Sequence, residues 1–473
     1  MARQIRNSRQ IETGTRGGRH VDGNSDHPPA GLRRLLRRGA RDTLLQTAAT
    51  TLVRLGLALA VLGLAPFVSL AELGRFDLFV VGSSFALLAV TLGIDSGLAI
   101  VTSRHSAAGR RAVLLAALAT SMAAALAWAA GLAVVLPMVP DLERETRMLA
   151  WATLAYGALN GALTLIFSWF RWQGRAVSAS LILIAAHAAG FVCAALSFAR
   201  IGTILGFVGG LIAGAALGVA GCLLHLARTE GLGRADLRLV RQGWRLRRVV
   251  ATILGVSLPY VAASVALLLR RAIDRSYLLA LGDPALLGAY AIVARLAELA
   301  GFAFSLPALG LAPILVARHR EAGTLRLARL VYGSYVLASA ILVTAAVSLA
   351  ASIDLPRSLA GAAAAMSLLG PILAGTLFLG ELSVAGFGYI VARRPIVYTV
   401  FSVGFLALYL SGVAALGMLG AGLQALGWGF ASAAFIYSTA AIAMSERLVR
   451  YGYAIVPLTG IKMATLALAL WSM

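Results

Sequence analysis

Lysine is almost missing from this chain of 473 residues: Lys462 is the only one, although lysine and arginine together number 41. There are two cysteines, Cys193 and Cys222, and both fall inside apolar runs. They supply neither a disulfide framework nor a metal-ligand spacing, and each reads as a small apolar packing residue. No metal or cofactor is expected. Charged residues are scarce at 13%, against 60% hydrophobic and a mean hydropathy of +0.87. That balance excludes a soluble protein of this length. Apolar runs of about eighteen residues or more recur along the chain and read as transmembrane helices. The sequence predicts an all-α polytopic membrane protein, its helices packed through Ala, Gly and Ser as close approach in lipid favours.

The formal net charge of +22 rests almost wholly on arginine. Nucleic-acid binding is one reading of so basic a chain, but the positions argue against it. The arginines collect in alternate loops, the pattern of cytoplasmic loops in membrane proteins. Residues 1–41 (the tail), Arg104/Arg110/Arg111, Arg171/Arg175, Arg228–Arg248, Arg318–Arg329, Arg393/Arg394 and Arg447/Arg450 share one side. The opposite loops carry only Arg75, Arg144, Arg147, Arg200 and Arg357, with six acids beside them, so the arginine-rich side and the N-terminus are expected in the cytoplasm. The tail reads as disordered to about Ala30. Gly31–Arg41 (GLRRLLRRGAR) sets leucines opposite arginines and reads first as a positive-inside anchor, with an anionic lipid surface as the alternative. A secretory signal is not expected, because about forty polar residues precede the first apolar run.

Twelve spans are predicted, near 44–68, 77–101, 112–137, 148–170, 176–199, 202–227, 249–279, 286–316, 330–352, 360–392, 395–416 and 420–445, with 455–473 as a weak thirteenth. They divide into a first six-helix lobe, 42–227, a basic linker, 228–248, a second lobe, 249–447, and a C-terminal segment, 448–473. The lobes resemble each other. Leu73-Gly74-Arg75-Phe76-Asp77 opens the second span as Leu287-Gly288-Ala289-Tyr290-Ala291 opens the eighth. Six spans per lobe is even, so the lobes point the same way. A pseudo-twofold axis along the membrane normal follows, with a site expected between the lobes.

The polar residues inside the spans are the candidates for function, because a charge near the bilayer centre costs about 2.5–3.5 kcal/mol on insertion scales. Arg270, Arg271, Asp274 and Arg275 crowd the end of the seventh span, and Arg295 and Glu298 follow in the eighth. Tyr260, Ser264, Arg271 and Arg275 share one helical face. Two acids against four arginines leave a surplus, and a surplus guanidinium facing a cavity suits a diphosphate or an acidic sugar. Ion pairing within the cluster is the plainer alternative. On the first span Gln46, Thr50 and Arg54 make a polar stripe, with Arg54 nearer the cytoplasmic end. Asp95 and Glu381 are lone acids suited to proton or sodium coupling, or to pairing with an arginine. Asn160 is expected to line the same cavity as Glu381. His187 is read as a satisfied bundle histidine, and Trp169, Trp172 and Trp428 as interfacial or packing residues.

Residues 274–290, DRSYLLALGDPALLGAY, resemble the second-half signature of the polysaccharide-biosynthesis (Wzx-type) flippases. That signature has an Asp-basic pair, an apolar run, Gly-x-x-x-x-Gly-x-Tyr, then a basic residue in the next helix; here one more residue separates Gly282 and Gly288. Ser257-Leu258-Pro259 resembles the Gly-Leu-Pro that opens the family's seventh span. Leu73–Phe79 resembles its first-half turn, with Arg75-Phe76-Asp77 where Glu-Tyr-Gly is usual. The resemblance implies a superfamily shared with MATE drug exporters and lipid II flippases. It implies an inner-membrane transporter, not an enzyme, moving a lipid-linked oligosaccharide by alternating access and working beside polysaccharide polymerase machinery. A MATE-like exporter of small cations is the rival, but it prefers an acidic cavity. A membrane glycosyltransferase or polymerase needs a larger outer loop than any here, and a non-transporting scaffold using the basic tail is the remaining alternative.

Overall fold

The computed structural model describes residues 49, 53, 55–95, 98, 107–140, 143–173, 175–230, 243–281, 284–317, 321–352, 365–392 and 395–471. Among these residues the chain is helical, with no strand. The helices are α1 (Leu55–Leu64), α2 (Leu70–Thr91), α3 (Ala107–Met138), α4 (Arg144–Trp172), α5 (Ala176–Ile201), α6 (Ile204–Glu230), α7 (Gly243–Ala280), α8 (Pro284–Ala317), α9 (Ala322–Ser352), α10 (Leu369–Ala385), α11 (Pro395–Met418), α12 (Gln424–Leu448) and α13 (Ile455–Trp471). Nine of the helices among the described residues are long and apolar enough to cross a membrane, and shorter apolar helices accompany them. The predicted spans from the third to the ninth, and the eleventh and twelfth, each fall on one helix. The described part of the tenth, 360–392, is divided at Gly386 between α10 and the short helix Phe387–Val391, and the weak thirteenth segment is α13.

Helix α2 starts earlier than its hydropathy suggests. Ser69 caps it: the Ser69 hydroxyl accepts from the Glu72 amide at 3.3 Å, and the Glu72 carboxylate accepts from the Ser69 amide at 3.1 Å. This reciprocal box satisfies two amides that a helix start otherwise leaves open. The consequence is positional. With its first turn at Leu70, α2 carries Asp77 two turns inside, fully buried. The helix ends at Leu92 and Gly93, both at positive φ (50° and 65°), and a Cβ on Gly93 would lie 2.5 Å from Val261 of α7.

Small residues set the closest helix approaches. On α6, Gly210, Gly214 and Gly218 recur every four residues and face Ala194, Gly190 and Ala186 of α5. No lipid-excluding force drives such pairs together in a bilayer, so backbone contact must supply the attraction. Between the halves, α2 crosses α8 where Gly74 meets Gly288: a Cβ on Gly74 would stand 3.1 Å from the Gly288 amide nitrogen. A Cβ on Gly288 would overlap the Leu70 carbonyl oxygen. The two glycines that the sequence repeat makes equivalent therefore touch. Further along, Ile253 of α7 packs with Ile94, Leu98, Val113, Ala117 and Leu165 of the first half.

The second half is knit by hydroxyls as well as methyls. α10 stops at Gly386 and resumes as the one-turn helix Phe387–Val391. Ser445 of α12 spans that break, donating to the Ala385 carbonyl at 2.9 Å and accepting from the Gly388 amide at 3.0 Å. Free backbone groups at membrane depth need such partners. α13 packs on α9, α10 and α12 and so belongs to this half.

The glycine crossing makes a testable point. Gly288→Ala should destabilise the protein by about 1–3 kcal/mol, the usual cost of forcing volume into a packed contact. Gly131→Ala on α3, with open space around it, should leave stability unchanged. Thermal unfolding of both variants in the same lipid nanodisc checks this; equal midpoints would rule out the close crossing.

Candidate functional site

The charges of α7 and α8 meet an acid from the other half of the chain. Asp77, on α2, accepts from Nε of Arg275 at 2.8 Å through Oδ2 and from Arg295 through Oδ1. All three side chains are almost wholly buried. Asp274 forms a second node. Its Oδ2 takes the Arg270 guanidinium at 3.0 Å and the Tyr290 hydroxyl at 2.6 Å, and its Oδ1 takes the Tyr409 hydroxyl. Arg275 also approaches Oδ2, at 3.6 Å. Glu298 is the third node, bound by Arg295 from the same helix and by Arg271 of α7 at 3.0 Å. Helical spacing explains the local pairs: Arg270 and Asp274 are four apart, Arg295 and Glu298 three, so each pair shares a face.

Aromatic rings complete the cluster. The Arg270 guanidinium lies 3.8 Å over the Phe430 ring and that of Arg275 5.1 Å over Tyr290. Both rings are buried, where such contacts are strongest. The Arg275 guanidinium also donates to the Arg271 carbonyl at 3.2 Å. One donor has no hydrogen-bond partner among the described residues: the buried Nε of Arg295.

The charge count differs from what α7 and α8 alone indicate. Asp77 brings the acids to three against the same four arginines, so among the described residues the surplus is one positive charge. The arginines are not equally committed. Arg275 and Arg295 are sealed by Asp77, Arg270 is held by Asp274, and Arg271 is the most exposed, its side chain 31% accessible. The surplus is therefore available at the Arg271 edge. Asp77 was not among the residues singled out from sequence. The Ser69-x-x-Glu72 capping box was the signal that could have placed it inside the second helix.

The other sequence candidates are dispersed. Ser264 is half-buried on α7 with Tyr260 one turn before it. Gln46, Thr50 and Arg54 lie outside the described residues. Asp95 is partly buried just past the end of α2. Asn160 and Glu381 do not meet. Asn160 donates to the Tyr156 carbonyl at 3.1 Å and lines a small space within the first half with Tyr156, His187 and Phe191. Glu381 lies in the second half, 0% exposed, bonded to Lys462 of α13 at 2.9 Å. Its partner is thus the lone lysine rather than an arginine. His187 bonds the Leu183 carbonyl through Nδ1 at 2.9 Å, and Trp169 is fully buried in the first-half core. No cluster of His, Cys, Asp and Glu suited to a metal ion occurs among the described residues.

No protein-family model and no curated protein matches the chain. Solved structures do. A Vibrio cholerae MATE transporter, VcmN in a point-mutant form, superposes with a TM-score of 0.62 at 15% identity, over 90% of this chain and 99% of that one. The lipid II flippase MurJ in an inward closed conformation superposes at 0.64 and 11% identity, over 90% and 92%. An outward-facing multidrug-resistance MATE transporter of the MOP superfamily gives 0.55 at 15% identity, over 90% and 97%. The likeness is one of fold, and it extends over nearly the whole of each neighbour.

The buried cluster predicts a stability hierarchy. Asp77→Asn leaves two buried guanidiniums short of their carboxylate and should cost about 3–5 kcal/mol, whereas removing the partly exposed partner of a carboxylate that keeps a second arginine costs less. Arg271→Ala should accordingly cost under about 1 kcal/mol, since Glu298 keeps Arg295. Denaturation of the two variants in matched detergent would refute the assignment if Arg271→Ala proved the more damaging.

Proposed function

We propose that this protein is an inner-membrane transporter that flips a polyprenyl-diphosphate-linked oligosaccharide from the cytoplasmic to the outer leaflet, by alternating access between the six-helix halves 42–227 and 249–447. The observation that carries the reading is the charge of the cluster between the halves. Four guanidiniums face three carboxylates, and the least committed charge lies at Arg271. A diphosphate suits this arrangement because guanidinium forks bind phosphate oxygens bidentately.

The same arithmetic gives a mechanism. A diphosphate carries more negative charge than the single surplus can balance. To be matched it must also draw on Arg275 and Arg295, competing with Asp77 for them. Once Asp77 is displaced, the ionic tie between α2 and the α7–α8 pair is gone, and the Gly74–Gly288 crossing loses its strongest support. Substrate binding and separation of the halves are then one event, since a ligand shifts a conformational equilibrium only by its differential affinity for the two states. In this cycle the headgroup enters from the cytoplasm near Arg54 and reaches the Arg271, Arg275 and Arg295 region, while the polyprenyl chain stays in lipid. Asp95 is the candidate for coupling to a proton or sodium ion in the first half. The product would be handed to polysaccharide polymerase machinery on the outer face.

Export of small cations by a MATE-like route is the reading that the fold neighbours also support. The surplus positive charge disfavours it, because a cation entering the cluster would meet a guanidinium before it met a carboxylate.

Two measurements separate these readings. Deleting the gene should lower surface polysaccharide and leave a completed lipid-linked oligosaccharide facing the cytoplasm; an unchanged lipid-linked pool with greater sensitivity to cationic drugs would transfer the assignment to export. In nanodiscs the purified protein should bind polyprenyl diphosphate more tightly than the monophosphate. Arg271→Ala should weaken that binding about 10- to 100-fold, the effect of losing a hydrogen bond to a charged group worth roughly 1.5–3 kcal/mol.

A further inference from the structure

A second buried charge cluster lies in the second half, apart from the arginines, and its two partners are unequally satisfied. Lys462 of α13 uses all three ammonium protons: it donates to Oε2 of Glu381 at 2.9 Å, to Oγ of Ser438 at 2.9 Å and to Oγ1 of Thr439 at 3.0 Å. The rings of Phe378 and Phe435 flank the ammonium at 5.1 and 5.2 Å. Glu381 is fully buried, its Oε2 bonded to Lys462 and the Tyr332 hydroxyl within reach of the carboxylate. Its Oε1 has no hydrogen-bond partner among the described residues.

The polar groups that face Glu381 come from α9, α12 and α13. α9 contributes Tyr332 and Tyr335, α12 contributes Ser438, and α13 contributes Lys462. The Tyr335 hydroxyl is already committed, donating to the Leu377 carbonyl at 2.7 Å. Tyr332 stands beside Glu381 and meets the Tyr453 ring edge-on at 5.1 Å, and Tyr453 stacks on Tyr451 at 5.4 Å. Both Tyr451 and Tyr453 belong to the α12–α13 connection, and their hydroxyls are buried without partners among the described residues. At that connection Glu446 accepts the amides of Tyr451 and Gly452 at 3.1 and 2.7 Å. A tyrosine-lined column thus runs from the exposed end of α12 to the carboxylate.

We infer that Glu381 and Lys462 form a proton-operated latch that holds α13 on α10. One proton, taken from water by way of the α12–α13 connection, adds to the open Oε1 of Glu381. The carboxylate becomes a neutral acid, and the cluster passes from net zero to +1. Lys462 stays an ammonium, because two hydroxyls and two ring faces still hold it when the carboxylate charge is gone. An ammonium without them would be too costly at membrane depth. What is lost is the ionic bond between α10 and α13, and in a low-dielectric interior breaking a buried pair is expensive. α13 is then retained by neutral contacts alone.

The latch acts next to the arginine cluster. α10 packs on α8, the helix of Arg295 and Glu298, and the contact is tight: a Cβ on Gly301 would lie 2.8 Å from Cγ2 of Thr376. Loosening α13 therefore loosens the helix that backs α8.

Infrared titration of the full-length protein in nanodiscs, paired with amide exchange of residues 455–471 corrected for intrinsic rates, tests the latch without any substrate. On acidification the wild type should gain a protonated-carboxyl band, and α13 should exchange about tenfold faster as the band grows, the factor for losing roughly 1.4 kcal/mol. Glu381→Asp should shift the band and Glu381→Gln should abolish it. Lys462→Met should show it at every pH, with α13 already fast, because no cation remains to keep the carboxyl charged. A wild-type band that ignores Glu381→Asp overturns the site. A band that grows while α13 protection stays constant overturns the latch. Should Glu381→Gln not be recovered, the Asp comparison decides the first point and the wild-type exchange the second.

Discussion

Asp77 between Arg275 and Arg295 is the contact on which the arrangement of the two halves depends. It is the point where a carboxylate of the first half enters the charge cluster of the second. Without it, α7 and α8 would carry two uncompensated guanidiniums at membrane depth, where each isolated charge costs several kcal/mol. With it, α2, α7 and α8 are tied by bonds that no lipid can replace. The glycine crossing at Gly74 and Gly288 lies one turn from Asp77 and makes the tie geometrically feasible. A side chain at either glycine would hold the backbones apart, and the carboxylate would fall short of the guanidiniums.

A pair so deeply buried is a weak source of net stability, since the desolvation of both ions offsets most of their attraction. On the proposed function its value is exchangeability. Apolar contacts between α2 and α8 would hold the halves together whatever the cavity contained. An ionic tie responds to another anion, because the arginines can trade one set of oxygens for another at little cost. The Asp274 node is built in the opposite sense. Two arginines and two tyrosine hydroxyls saturate it from within the second half, so it orders α7, α8 and α11 as one body and leaves Asp77 as the exchangeable acid.

Much of this was legible in the sequence, for identifiable reasons. Membrane helices announce themselves by length and hydropathy, and the third to ninth, eleventh and twelfth predicted spans match helices because Gly, Pro and arginine mark their ends plainly, whereas the break at Gly386 inside the tenth left no mark in hydropathy. The equivalence of Gly74 and Gly288 was visible as a repeat, and their contact follows if the repeat reflects an axis passing between them. Asp77 was not legible as a site residue. Hydropathy put the start of the second span at residue 77 itself, so the acid looked like an interfacial charge, whereas the Ser69–Glu72 box extends the helix by two turns. Glu381 was visible as a lone acid, but its partner was not. Lys462 lies in a segment too short to read firmly as a span, and pairing across 81 positions leaves no periodic trace. Asn160 and Glu381 seemed counterparts because spacing was compared between halves, and spacing does not fix which face of a helix a residue takes.

The two clusters divide the polar labour of the second half. Among the described residues the cations of the arginine cluster outnumber the acids, and on the proposed function it is completed by an anion. In the Glu381–Lys462 cluster the charges balance and the cation is saturated, and in the inferred latch it is a proton that completes it. α10 touches both, through α8 on one face and α13 on the other. On the proposed function and the inferred latch, a proton arriving at one cluster and an anion at the other each remove an ionic tie, and both ties bear on the same packed set of helices. Proton binding that relaxes α10 lowers the cost of moving α8, and an anion that displaces Asp77 recovers more of its binding energy when α8 is free to move. Coupling of this kind is reciprocal by necessity. It needs no continuous wire between the sites, only a shared helix whose position both ligands bias.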